Sequence, residues 1–223
     1  MTEAEIRSSL IARLASSPAG ADASFISELV LDNFSRRADL VMANGKLAVF
    51  EIKSSRDRLD RLAGQLETYL LFFEQVTIVC AAKHLAGAVA AAPNGVGIWQ
   101  VNDDGSMRVV RRARARRMSS KKNWVSFLPV DELRMLLRLN ELRAVGPRVD
   151  LVRAIDSVPV KAVREYVLAY MKRRAKRIHG IQERRKETLR ATAYADPLPR
   201  MAQYLAHFQQ LESVAIPRKV AAL

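Results

Sequence analysis

Asp39, Glu51 and Lys53 stand close together in the sequence, and Gln65 and Tyr69 follow them. Carboxylates collect a hard divalent cation, and an ammonium beside them offsets charge on a phosphate oxygen. The set therefore suits metal-assisted cleavage of a phosphodiester. Taken singly these residues are ordinary: Glu51 and Lys53 would make a surface ion pair worth under about 1 kcal/mol, and Asp39 could simply begin a strand. Their grouping with Gln65, Tyr69 and a cationic second half of the chain gives them meaning together.

The elements that must position them follow from local pattern. Ala38 to Val41 and Leu47 to Ile52 are short aliphatic runs separated by Asn44-Gly45, a dipeptide suited to a hairpin turn. Alternation puts Val49, Glu51 and Lys53 on one face of the second strand. A two-residue loop would set Asp39 opposite Phe50 and so on the other face. A three-residue loop, Ala43 to Gly45 with Gly45 left-handed, restores the parity, so an odd-length loop or a bulge is expected. After the hairpin, Ser55 or Asp57 can cap a helix running to about Phe73. Leu59, Leu62, Leu66, Tyr69 and Leu70 form its apolar stripe, and Arg58, Arg61 and Gln65 lie on its polar margin. Gln65 and Tyr69, one turn apart, can meet the same neighbour, and Arg58 and Arg61 are candidates for contacts with backbone phosphates.

Asp39 followed by Glu51-Ile52-Lys53 resembles the D…E-x-K signature of the PD-(D/E)XK nuclease superfamily, and Gln65 with Tyr69 resembles the Q-x-x-x-Y extension of its RecB-like branch. Glu51-Ile52-Lys53-Ser54 with Asp57, Leu59, Arg61-Leu62 and Gln65 further resembles a group of small bacterial proteins classed with these nucleases. Ala38 stands where the motif often has proline. The resemblance spans about Glu28 to Val101. It implies a restriction-endonuclease-like core and a Mg²⁺ or Mn²⁺ ion held by Asp39, Glu51 and the Ile52 carbonyl. In that scheme Lys53 and Gln65 orient the attacking water or the scissile phosphate, and Glu28 is a possible further carboxylate.

Charge is unevenly distributed. Residues 1–107 carry 10 Lys and Arg against 13 Asp and Glu, whereas residues 108–190 carry 24 against 8, so the whole excess of +14 belongs to the second half. Nucleic acid, DNA first, is the partner to expect. The single cysteine excludes an internal disulfide, and the three histidines show no zinc spacing. No apolar run approaches membrane-spanning length, and charges through the first helix are unlike a signal peptide. A cytoplasmic location without membrane association is expected.

Thr2 to Ser16 reads as a helix with Thr2 and Glu5 as a capping box. The order helix, three strands, helix, strand, helix, strand, with a last hairpin strand after Asp103-Asp104-Gly105, gives an α/β fold with a mixed sheet. Residues 1–110 are thus expected as the nuclease-like domain and 111–128 as a basic linker. Residues 129–223 are expected as a helical, DNA-binding region. The linker offers Arg111, Arg112, Arg114, Arg116, Arg117, Lys121 and Lys122 to phosphates. Helices are predicted over Val130–Leu139, Asn140–Val145, Val149–Ile155 and Val160 to about Arg185, with a final one over Met201–Val214 that could pack back or join a homodimer. Lys172, Arg173, Arg174, Lys176 and Arg177 repel one another unless a polyanion is near. A DNA-binding protein that does not cut is the alternative reading.

Overall fold

In the computed structural model, which describes residues 1–18, 20–31 and 36–194, the apolar runs of the first half become one six-stranded mixed sheet. Helix α1 (Glu3–Ala15) precedes β1 (Ser24–Leu31), β2 (Arg36–Ala43) and β3 (Leu47–Lys53). These are followed by α2 (Leu62–Phe72), β4 (Gln75–Ala81), α3 (Leu85–Ala91), β5 (Gly97–Val101) and β6 (Met107–Arg111). The strands lie in sequence order; β1, β2 and β3 are antiparallel, β3, β4 and β5 parallel, and β6 antiparallel to β5. Every residue of β3 is buried, as befits a central strand covered on both faces.

Two cores result. Ile6, Leu10 and Leu14 of α1 pack on Leu40, Met42, Phe50 and Ile52. On the other face Leu62, Leu66 and Tyr69 of α2 meet Val41, Val49, Ile78 and Ile98. The capping box on α1 forms, with the Thr2 N–H donating to Glu5 Oε2 at 2.8 Å.

The helical second half joins the second of these cores. Helices α4 (Lys121–Val125), α5 (Val130–Leu139), α6 (Arg148–Ala154) and α7 (Val160–Tyr194) follow the sheet, and Trp124, Leu133, Leu137, Leu151, Val163, Val167 and Met171 are buried with α2 and the sheet. The boundaries expected at 110 and 128 are therefore not seams. The chain divides instead into Met1–Ile178 and His179–Leu223, and the described part of the second unit is helical to Tyr194. The stretch expected as a linker is strapped down: the Arg114 N–H donates to the Gly95 carbonyl at 2.9 Å, and the Arg116 N–H to the Glu74 carbonyl at 2.8 Å.

Three local expectations are corrected. The hairpin loop has odd length, but its pairing closes at Ala43 and Leu47, so it comprises Asn44 to Lys46 with Gly45 at φ 64°. Helix α2 begins at Leu62, because Asp57 turns back to accept from the Ser54 N–H at 2.7 Å instead of capping a helix. Asn140–Val145 is not helical: α5 ends at Leu139 and Glu141 takes φ 57°. The break at Asp196-Pro-Leu-Pro199 and the helix expected over Met201–Val214, with its dimer contact, lie outside the described residues. No helix among the described residues is long and apolar enough to cross a membrane.

Candidate functional site

The odd hairpin loop carries Asp39 to the register position opposite Glu51, one step beyond the Leu40–Phe50 pair. Here the two strands part, and the carboxylate replaces a backbone partner: Asp39 Oδ2 accepts from the Ile52 N–H at 2.7 Å. On β1, Glu28 falls in register opposite Asp39 but is left out of the ladder, with φ 57°. Around this point the inside-outside alternation changes sense on both strands. Ile26 and Leu29, three apart, share one core, and so do Ala38 and Val41. The irregularity turns polar side chains to the place where two regular strands would have alternated apolar ones.

Glu51 and Lys53 face α2, and both are buried. Lys53 Nζ donates to Glu51 Oε1 at 2.7 Å and to Gln65 Oε1 at 3.0 Å. The Tyr69 hydroxyl lies 2.7 Å from Glu51 Oε2 and 3.0 Å from the Arg37 carbonyl, two acceptors for one proton. Gln65 and Tyr69, a turn apart on α2, therefore hold the two ends of the Glu51–Lys53 pair. Burial and the adjacent carboxylate of Glu51 push the Tyr69 hydroxyl far above its ordinary value, so it stays a proton donor.

An open cavity of about 430 Å³ has a wall that includes Glu3, Asp39, Glu51, Ile52, Lys53, Asp57, Arg61 and Gln65. Burial, then the negative charge of Glu51, push the Asp39 carboxyl up to about 8, against which the Ile52 N–H and Lys53 act only partly. Carboxylate oxygens of Glu3, Glu28 and Asp39 lie within 4.8 Å of one another. Arg7 pairs with both Glu3 and Glu28, and Arg37 with Glu28.

Glu3 is the residue that sequence reasoning missed. It opens α1, where the capping box reads as helix grammar, and nothing local signals that α1 lies over the β1–β2 irregularity. Among the expected phosphate contacts, Arg61 lines the cavity, whereas Arg58 pairs with Asp60 at 2.8 Å outside it. The Arg111 guanidinium donates to the Val96 carbonyl through Nε and to the Ala92 and Pro93 carbonyls through Nη2, and so caps α3. Lys121 donates to the Asp156 carbonyl at 2.7 Å and Arg173 pairs with Glu132 at 2.8 Å. Arg112, Arg114, Arg116, Arg117, Lys122, Lys176 and Arg177 are exposed, while Lys172 and Arg174 are half-buried.

A family model described as bacteriophage P4 protein cII matches residues 1–193. Protein cII of Enterobacteria phage P4 is 34% identical over 201 residues, covering 82% of this chain and 74% of the phage protein. No solved structure matches the chain significantly.

Proposed function

The chain belongs to the bacteriophage P4 protein cII family, and for this member we propose metal-dependent hydrolysis of DNA phosphodiester bonds on a nuclease-like core of the PD-(D/E)XK type. The observation that carries the reading is the convergence of Asp39, Glu51, Lys53 and Gln65, from two strands and a helix, on one open cavity.

The donor set fits a hard cation, Mg²⁺ or Mn²⁺, because it is made of oxygen: Asp39 with Glu3 and Glu28 converge, Glu51 borders the same cavity, and the Ile52 carbonyl follows the N–H that Asp39 holds. The raised Asp39 carboxyl supports the same fit, since burial and then the nearby charge of Glu51 penalise its ionised form, and a bound cation would offset both. When bound, such an ion supplies Lewis-acid stabilisation of charge on the phosphate.

The chain's own residues do the positioning. Lys53 has three N–H donors and spends two on Glu51 and Gln65, leaving one for a phosphate oxygen. Gln65 accepts from Lys53 through Oε1, which leaves amide N–H for the scissile phosphate or the attacking water. Arg61 extends the positive wall along the backbone. A second reading, binding without cleavage, draws on the fact that both oxygens of Glu51 already have partners.

The experiment is a cleavage assay on labelled single- and double-stranded DNA with Mg²⁺ or Mn²⁺, comparing the protein with Asp39→Asn. The expected result is metal-dependent cleavage that disappears in the variant while DNA binding persists. Binding with no cleavage of either substrate by either metal would overturn hydrolysis in favour of the second reading.

A further inference from the structure

A second opening, of about 670 Å³, is walled by Val30 of β1, Phe72 of α2, Lys122 of α4, Arg148 of α6, and Arg174 and Arg177 of α7. Val30 also borders the Asp39–Lys53 cavity, so the two openings share a wall on the edge strand of the sheet.

The four cations reach this groove from three helices far apart in sequence. Among the described residues none of them has a carboxylate within ion-pair distance. Arg148 is fixed in place by donating to the Leu128 carbonyl at 2.6 Å and the Val125 carbonyl at 3.1 Å, so its charge is held at the rim and not left to wander. Unpaired like charges held around one depression raise the energy of the empty protein and lower it when a polyanion enters. The wall also carries aromatic rings: Tyr170 is buried and lies under the Arg173 guanidinium, whereas Phe72 is half-buried and is the ring within reach of a base. A duplex keeps its bases stacked inside and offers a surface mainly phosphates, whereas a single strand offers both a backbone for cations and base faces for aromatic rings.

We propose that this groove takes a single-stranded stretch of nucleic acid and leads its backbone past Val30 into the Asp39–Lys53 cavity. The destination rests on the hydrolytic reading given above; the binding does not. Arg148 is thereby added to the cations that hold nucleic acid, and Arg111 is left out because it does not line this groove.

The test is fluorescence anisotropy with a short labelled DNA strand and with the duplex of the same sequence, in EDTA so that nothing is cut. The single strand is expected to bind about tenfold more tightly than the duplex. Lys122→Ala combined with Arg177→Ala, both exposed positions, is expected to weaken single-strand binding about tenfold and to flatten its log–log salt slope by roughly 1.4, the loss of two phosphate contacts. Lys83→Ala combined with Arg143→Ala removes the same charge away from the groove and is expected to change affinity less than about twofold. Equal or tighter duplex binding, or equal losses in the two double variants, would overturn the proposal. Groove-dependent binding by a protein that never cleaves would sink the hydrolytic reading alone. Cleavage without groove dependence would sink the groove alone.

Discussion

Two buried carboxylates, Glu74 and Glu51, each hold a cation at 2.7 Å, and they sit toward opposite ends of β3. Glu74 Oε1 accepts from Arg164 Nε, and Oε2 accepts from the Leu47 N–H at 2.9 Å and from Arg164 Nη2 at 3.2 Å. Arg164 also donates to the Gly45 carbonyl at 2.6 Å, so the pair ties the hairpin loop to α7. Glu51 is as well partnered, by Lys53 and Tyr69, yet it borders an open cavity where Asp39 has no ion-pair partner among the described residues and where Glu3 shares Arg7 with Glu28. The contrast shows that a short ion pair does not by itself distinguish a clasp from a site. Surplus charge and an opening do. The clasp also serves the site, because it fixes the loop whose odd length puts Asp39 on the face of Glu51.

Four measurements would break or sharpen that contrast. Asp39→Asn is expected to lower metal-dependent cleavage at least about 10³-fold, roughly 4 kcal/mol in the barrier, while its urea midpoint at neutral pH stays level or rises. A large drop in midpoint would make Asp39 another clasp. Glu74→Ala is expected to do the reverse, costing about 3 kcal/mol in urea unfolding because Arg164 loses its buried partner, with cleavage per folded molecule retained. Loss of cleavage at full stability would move Glu74 into the site.

The third measurement uses pH. The folded Asp39 carboxyl titrates at about 8 against 3.8 for the ordinary group, so the metal-free protein binds a proton that the unfolded chain has released. Its contribution to stability is complete below the ordinary value and is lost as pH rises through about 8. Asp39→Asn should remove that downward slope. Mg²⁺ affinity, read by calorimetry, should climb by up to about tenfold per pH unit towards 8 and flatten above it, since the ion displaces the proton. A pH-independent affinity would sever Asp39 from metal binding. The smallest effect is expected for Tyr69→Phe, which keeps the edge-to-face contact with Phe73 at 5.9 Å but removes the donor to Glu51. About 1 kcal/mol in stability is expected, with a few-fold loss of cleavage.

The hairpin and its parity were legible in sequence because a period of two and a glycine turn constrain each other; only the loop position slipped by one residue. Gln65 and Tyr69 were legible because helical spacing alone puts them on one face. Glu3 was not, since its role depends on α1 crossing two strands distant in sequence. Nor was the burial of Trp124: a cationic run reads as solvated, and the ring packs inward while its Nε1 donates to the Met118 carbonyl at 2.9 Å. The unity of residues 1–178 escaped for the same reason, because charge composition reports on surface and not on which apolar stripes meet.

The left-handed backbone at Glu28 has an evolutionary corollary. An L side chain there costs roughly 1–2 kcal/mol that glycine would not incur. Glycine would remove that strain but would also release Arg7 and Arg37 from the ion pairs they make with the Glu28 carboxylate, so a glycine at position 28 is expected only where both guanidinium groups find other partners.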